Sequence, residues 1–171
     1  RMWFASIWVF TLELPWELGA DFFLRHLLDG DPASNTLSWR WVAGIQTQGK
    51  TYLARPDNIA KYTEGRFAPT GLAAYAPPLD APVKPAPKPL VDVPAPQSGK
   101  RTGLVLHNDD LSPRGILEQC DTIVTTFCLT SPARLSPLAP APHIKAFTKR
   151  AMADVTTRWS ARMGDIAHGT T

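Results

Sequence analysis

The side chains whose chemistry stands out are tryptophans. Five of the six lie in residues 1–41, at Trp3, Trp8, Trp16, Trp39 and Trp41, and each offers both a large apolar body and an aromatic face. Asn35 and Trp39 are four residues apart and so share a helix face, whereas Trp41 sits two residues further, about 200° round at 3.6 residues per turn. It serves a different surface. On composition alone such a cluster reads as core. The remaining reactive groups are sparser. His107, Asp109 and Asp110 carry metal-type donors, but a single His-x-Asp-Asp after a strand reads better as a polar turn. Cys120 and Cys128 lack metal-finger partners, and without a secretion pattern they read as two reduced thiols of a cytoplasmic protein.

Composition narrows the classes further. The chain has 171 residues, 44% hydrophobic and 19% charged, with a net charge of +3. That is too apolar for a disordered chain and too poor in cysteine for a disulfide scaffold, and no run reaches the roughly 18 apolar residues of a membrane helix. Eight of the 17 prolines fall between residues 77 and 96, which predicts two ordered pieces joined by a stiff linker. The opening Arg1-Met2-Trp3-Phe4 has no signal-peptide pattern and reads as the middle of a longer protein. From Met2 to Leu12 only Ser6 and Thr11 are polar. A helix there has no wet face, and it belongs in a larger core than 66 residues supply.

The elements that position the tryptophans follow from local punctuation. Trp16, Ala20, Phe23, Leu24, Leu27 and Leu28 form one apolar face of a helix over 16–28, with Pro15 in its first turn. Asp29-Gly30-Asp31 stops it, Asp31-Pro32 starts a third helix, and Gly44 ends that helix after Ala43. Arg55-Pro56-Asp57-Asn58 opens a short fourth helix. Residues 1–66 are thus mostly α, with seven basic charges against seven acidic. Residues 67–100 form a Pro/Ala-rich linker, including Lys84-Pro85-Ala86-Pro87-Lys88-Pro89, that favours extended polyproline geometry. Residues 101–171 read as a small α/β unit: a strand over 103–107, a short helix from Ser112-Pro113, and a strand over 122–129. Its last helix, over 143–163, places Ile144, Phe147, Ala151, Val155, Trp159 and Met163 on one face. The Pro-rich stretch from Pro132 to Pro142 precedes that helix, whose basic residues Lys145, Lys149, Arg150, Arg158 and Arg162 read as a solvated face.

Arg1-Met2, Leu14-Pro15-Trp16, Gly19-Ala20-Asp21-Phe22-Phe23 and the run from Asp29 to Gly44 together resemble the C-terminal part of the FAD-binding helical domain of the DNA photolyase and cryptochrome family. Arg1, Trp16, Asp29, Asn35, Trp39 and Trp41 match it without a gap. The resemblance covers residues 1–66 and implies that they form part of an all-helical domain holding FAD non-covalently. It further implies that Arg1 pairs with Asp29 beside the flavin ring, that Asp31, which also reads as a helix N-cap, belongs to the cofactor-binding set, and that Asn35 faces the flavin N5 edge. A guanidinium next to the run Met2–Leu12 needs such a partner in any case, since breaking a buried pair costs about 3–5 kcal/mol.

Trp39 and Trp16 resemble the proximal and middle members of an electron-hopping chain. Met2 and Trp41 resemble contacts to a flipped-out pyrimidine dimer. Arg40, with Lys50, Arg55, Lys61 and Arg66, reads either as a phosphate contact or, for most of them, as solvated charge. The implied activity of the intact protein is light-driven repair of cyclobutane pyrimidine dimers in DNA, by a monomer that needs no membrane and in which the cofactor carries the chemistry. The fragment alone is expected to be inactive. Thr36 departs from the pattern, standing where many members have a second asparagine. The alternatives are a cryptochrome-type blue-light receptor and a degenerate helical interaction domain.

Overall fold

A computed structural model of the chain describes residues 1–80, 86–95, 97, 99–130 and 135–170. The chain divides into two units: Arg1–Leu24 with Asp29–Pro87, and Arg25–Leu28 with Lys88–Thr171. The helices of the first part are α1 (Met2–Ser6), a π-helical turn (Ile7–Thr11), α2 (Trp16–His26), α3 (Pro32–Val42) and α4 (Pro56–Tyr62).

Local sequence explains these boundaries. Asp31 caps α3 by accepting a hydrogen bond from the Ser34 amide at 2.6 Å, with Pro32 at the first helical position. Gly44 leaves α3 at a φ of +76°, the left-handed conformation that glycine tolerates. Helix α2 begins after Pro15 and ends at His26, two residues short of the expected limit. The run Met2–Leu12 does turn helical, but it is not buried all round: Ala5, Ser6 and Val9 are buried, while Met2, Phe4 and Leu12 stay exposed. Its two polar residues anchor later chain. Ser6 Oγ accepts from the Ala54 amide at 2.8 Å, and Thr11 Oγ1 accepts from the Ala73 amide at 3.1 Å.

The packed region reaches beyond residue 66. Thr51 donates to the Ala76 carbonyl, the Leu79 amide donates to the Ala43 carbonyl, and Leu79 packs against the cluster of Ala5, Val9, Ala20, Trp39 and Val42. From residue 86 to 95 the described chain has no regular structure. Lys84 and Pro85 of the proline-rich motif, and Pro132, lie outside the described residues.

The C-terminal part comprises β1 (Arg101–His107), α5 (Arg114–Gln119), β2 (Thr122–Thr130), α6 (Pro142–Trp159), a 3₁₀ turn (Ser160–Arg162) and β3 (Asp165–Thr170). The strands lie in the order β1-β2-β3 and are all parallel, Leu106 opposite Cys128 and Cys128 opposite His168. Parallel neighbours require crossovers, and α5 and α6 supply them. Strand β3 is absent from the sequence reading. Its run Ala167-His168-Gly169 has neither the branched residues nor the clean alternation that mark a strand.

The core here is Leu104, Leu106, Leu117, Cys128, Met152, Val155 and Met163. Helix α6 ends at Trp159, not at 163, and buries Ile144, Thr148, Met152 and Val155. That corrects the expected face: Phe147 is 48% exposed, because it stands about 100° from the centre of this stripe at 3.6 residues per turn. Cys120 and Cys128 are buried and unpaired, and burial pushes the Cys128 thiol pKa up. His107, Asp109 and Asp110 form a hydrogen-bonded turn, with His107 Nδ1 accepting from the Asp109 amide and Asp110 from the Ser112 amide.

Gly164 joins the 3₁₀ turn to β3 at a φ of +59°, and a Cβ there would lie 2.4 Å from the Val124 backbone. Gly164→Ala is therefore expected to lower the stability of this unit by about 2 kcal/mol or more. Urea unfolding of the variant checks this, and an unchanged midpoint would contradict the close approach.

Candidate flavin-type site on helix α3

Helix α3 sorts its aromatic residues to opposite sides. Trp39 is 2% exposed and meets Phe23 at 5.1 Å and 84°, Trp8 at 6.3 Å and 87°, and Phe4 at 6.3 Å and 79° between ring centroids and planes. These are edge-to-face contacts, which suit the quadrupoles of the rings. The indole lies over Gly19 of α2, where a Cβ would come within 2.2 Å of Trp39 Cη2. Trp41 is 41% exposed and tilts toward Tyr52 at 6.0 Å. An open groove of about 660 Å³ is lined by Met2, Ser34, Leu37, Ser38, Trp41 and Gln46. Met2 and Trp41 thus share one concave surface, away from the buried ring of Trp39.

Asn35, half-buried, donates from Nδ2 to the Ala20 carbonyl at 2.7 Å. That bond fixes the amide and leaves Oδ1 as its acceptor. Arg1 donates through Nη2 to both carboxylate oxygens of Asp29, at 2.7 and 2.5 Å. The pair forms across 28 residues, but its side chains are 59% and 67% exposed, so in this chain the guanidinium is not buried as the sequence reading supposed. The hydrogen bond from Arg1 holds the Asp29 carboxyl below the usual carboxylate range. Asp31 stands two residues further and caps α3. Trp16 is partly buried and packs against the same cluster as Trp39. Arg40 is half-buried, and its Nε has no hydrogen-bond partner among the described residues.

Ser34, Leu37, Ser38 and Gln46 in the groove, Tyr52 beside Trp41 and Gly19 under Trp39 are not singled out by residue type or spacing as site residues. Gly19 carried a signal, since a glycine in mid-helix marks a close approach. Tyr52 and Gln46 carried none. Trp8, read as core, is an edge-to-face neighbour of Trp39.

Residues 1–76 match the family model described as the FAD binding domain of DNA photolyase. The chain is 37% identical over 89 residues to a deoxyribodipyrimidine photo-lyase of Streptomyces griseus, an alignment covering 45% of this chain and 20% of that protein. It is 40% identical over 52 residues to the deoxyribodipyrimidine photo-lyase of Salmonella typhimurium, covering 30% and 11%. Against a cryptochrome DASH of Idiomarina loihiensis it is 36% identical over 69 residues, covering 40% and 15%. The chain spans a fifth or less of the length of these relatives. No solved structure matches it significantly. Among the described residues no helix is long and apolar enough to cross a membrane. Residues 1–76 of this chain belong to the FAD-binding domain of the DNA photolyase and cryptochrome family.

Proposed function

We propose that this chain contributes the Asn35, Trp39 and Trp41 side of an all-helical, non-covalent FAD site in a cytoplasmic flavoprotein that repairs cyclobutane pyrimidine dimers in DNA with light. The observation that carries the reading is the sorting along α3, with Trp39 closed among aromatic rings and Trp41 open on a groove shared with Met2. The donor set suits the cofactor. Asn35 Oδ1 is held as an acceptor, which is the partner a reduced flavin N5–H requires, and the Arg1–Asp29 pair sets a fixed charge pattern beside it. Bound FAD would supply the one-electron photochemistry.

The protein residues divide the remaining work. Trp39 and Trp16 relay electrons inward, Asp31 fixes the start of α3, and Met2 and Trp41 stack on the extruded dimer. Arg40 lies between the two tryptophans on α3 and supplies positive charge to the DNA phosphates. Base stacking on an aromatic face is worth about 1–3 kcal/mol. Trp41→Ala is therefore expected to weaken binding of a dimer-containing oligonucleotide by about that amount while leaving thermal stability near wild type, since the ring is half outside. Equal affinity in a fluorescence-anisotropy titration would remove Trp41 from the substrate surface. The similarity to a cryptochrome DASH favours a second reading, a blue-light receptor with the same flavin site and no repair activity. Flavin-loaded protein that leaves dimers intact under blue light would select it.

A further inference from the structure

Among the described contacts, Trp39 meets Phe4, Trp8 and Phe23 with near-perpendicular rings. Of these only the indole of Trp8 loses an electron readily, because a phenyl ring has no nitrogen lone pair to stabilise the resulting cation. Trp8 sits in the π-helical turn, where the Leu12 amide reaches back five residues to the Ile7 carbonyl at 2.9 Å. Single π turns recur at functional positions because they re-aim side chains. Trp8 also donates from Nε1 to the Pro15 carbonyl at 2.9 Å, directly before Trp16.

We propose that Trp8 is a second electron donor to Trp39, parallel to Trp16. The proposal rests on the flavin photochemistry proposed above. Trp39 gives one electron to the light-excited oxidised flavin and takes one from Trp8. The charge then moves from a ring that is 2% exposed to one that is only partly buried, and a cation costs less nearer water. The hydrogen bond to Pro15 strengthens when the indole becomes cationic, because charge-assisted bonds are the stronger kind. The Trp8 cation releases its Nε1 proton to water, and an added thiol returns a hydrogen atom to the neutral radical. One electron has then reached the flavin and both indoles are restored.

The test uses Trp8→Phe, Trp16→Phe and the double variant in the intact flavin-loaded flavoprotein that contains this chain, with photoreduction yield under blue light and transient indolyl radical absorbance as readouts. Two parallel donors predict that each single variant loses about half the yield and the double variant nearly all of it. Trp8→Tyr, which restores an oxidisable ring, should recover yield over Trp8→Phe. A far-ultraviolet exciton couplet in the flavin-free protein, lost in both Trp8→Phe and Trp39→Phe, reports the ring contact independently of any photochemistry. Unchanged yield in Trp8→Phe, with the double variant equal to Trp16→Phe, overturns the role of Trp8 alone. Loss of yield that Trp8→Tyr does not recover would assign the effect to packing and also overturns it. A wild-type protein that binds flavin and does not photoreduce overturns the reading on which the proposal stands.

Discussion

Trp39→Phe in the intact, flavin-loaded flavoprotein that contains this chain is expected to slow photoreduction about tenfold or more, while repair by protein whose flavin has been reduced chemically stays near wild type. The split follows from what the substitution removes. Phe keeps an aromatic ring against Phe23 and Phe4 but has no indole to oxidise, so only the supply of electrons suffers. The side chain is closed off from water and lies on a different face of α3 from Trp41, so it has no route to the extruded base. Stopped illumination with flavin absorbance as the readout measures the first effect, and dimer repair after dithionite reduction measures the second. Equal photoreduction rates would remove Trp39 from the electron path.

Gly19→Ala carries the largest expected stability effect. The added methyl would enter within 2.2 Å of Trp39 Cη2 and 2.3 Å of Cζ3, and the indole has little room to move because it is 2% exposed and packed against Trp8, Phe4 and Phe23. Overpacking of this severity costs about 3 kcal/mol. The atoms that clash belong to the outer ring of the indole, which phenylalanine lacks. The cost of Gly19→Ala should therefore shrink in a Trp39→Phe background, giving a coupling of about 1–2 kcal/mol in a double-mutant cycle. Additive costs in urea unfolding would show that the glycine is not there for the tryptophan.

These two residues also show what the sequence could and could not tell. Asp31-Pro32 and Gly44 bracketed α3 within a residue, because capping and left-handed turns are local chemistry. Given those limits, helical geometry alone put Trp39 and Trp41 on different surfaces. The edge-to-face contact of Trp8 with Trp39 had no such signal. It depends on a π-helical turn and on α1 and α3 meeting in space, neither of which leaves a pattern in the chain. Ser6 and Thr11 read as interruptions in an apolar run, yet each holds a distant backbone amide.

In the C-terminal part the helix face went astray for a related reason. Thr148 is polar by type and gives no signal for the stripe, yet it is buried, while Phe147 is apolar but 48% exposed. Parallel strands are paired by crossovers and not by hairpin turns, so β3 had no neighbouring turn to announce it. The proline and alanine content of residues 67–79 predicts a linker. Their contacts with Thr11, Ala43 and Thr51 are tertiary, and composition does not report those.

The central claim is that the α3 site serves light-driven repair. It is tested most directly by loading the intact flavoprotein that contains this chain with FAD, reducing it, and illuminating it with blue light in the presence of an oligonucleotide carrying one cyclobutane thymine dimer. Restoration of the two thymines under light, and none in the dark, is the expected result. A protein that holds reduced flavin and leaves the dimer intact under light would contradict it.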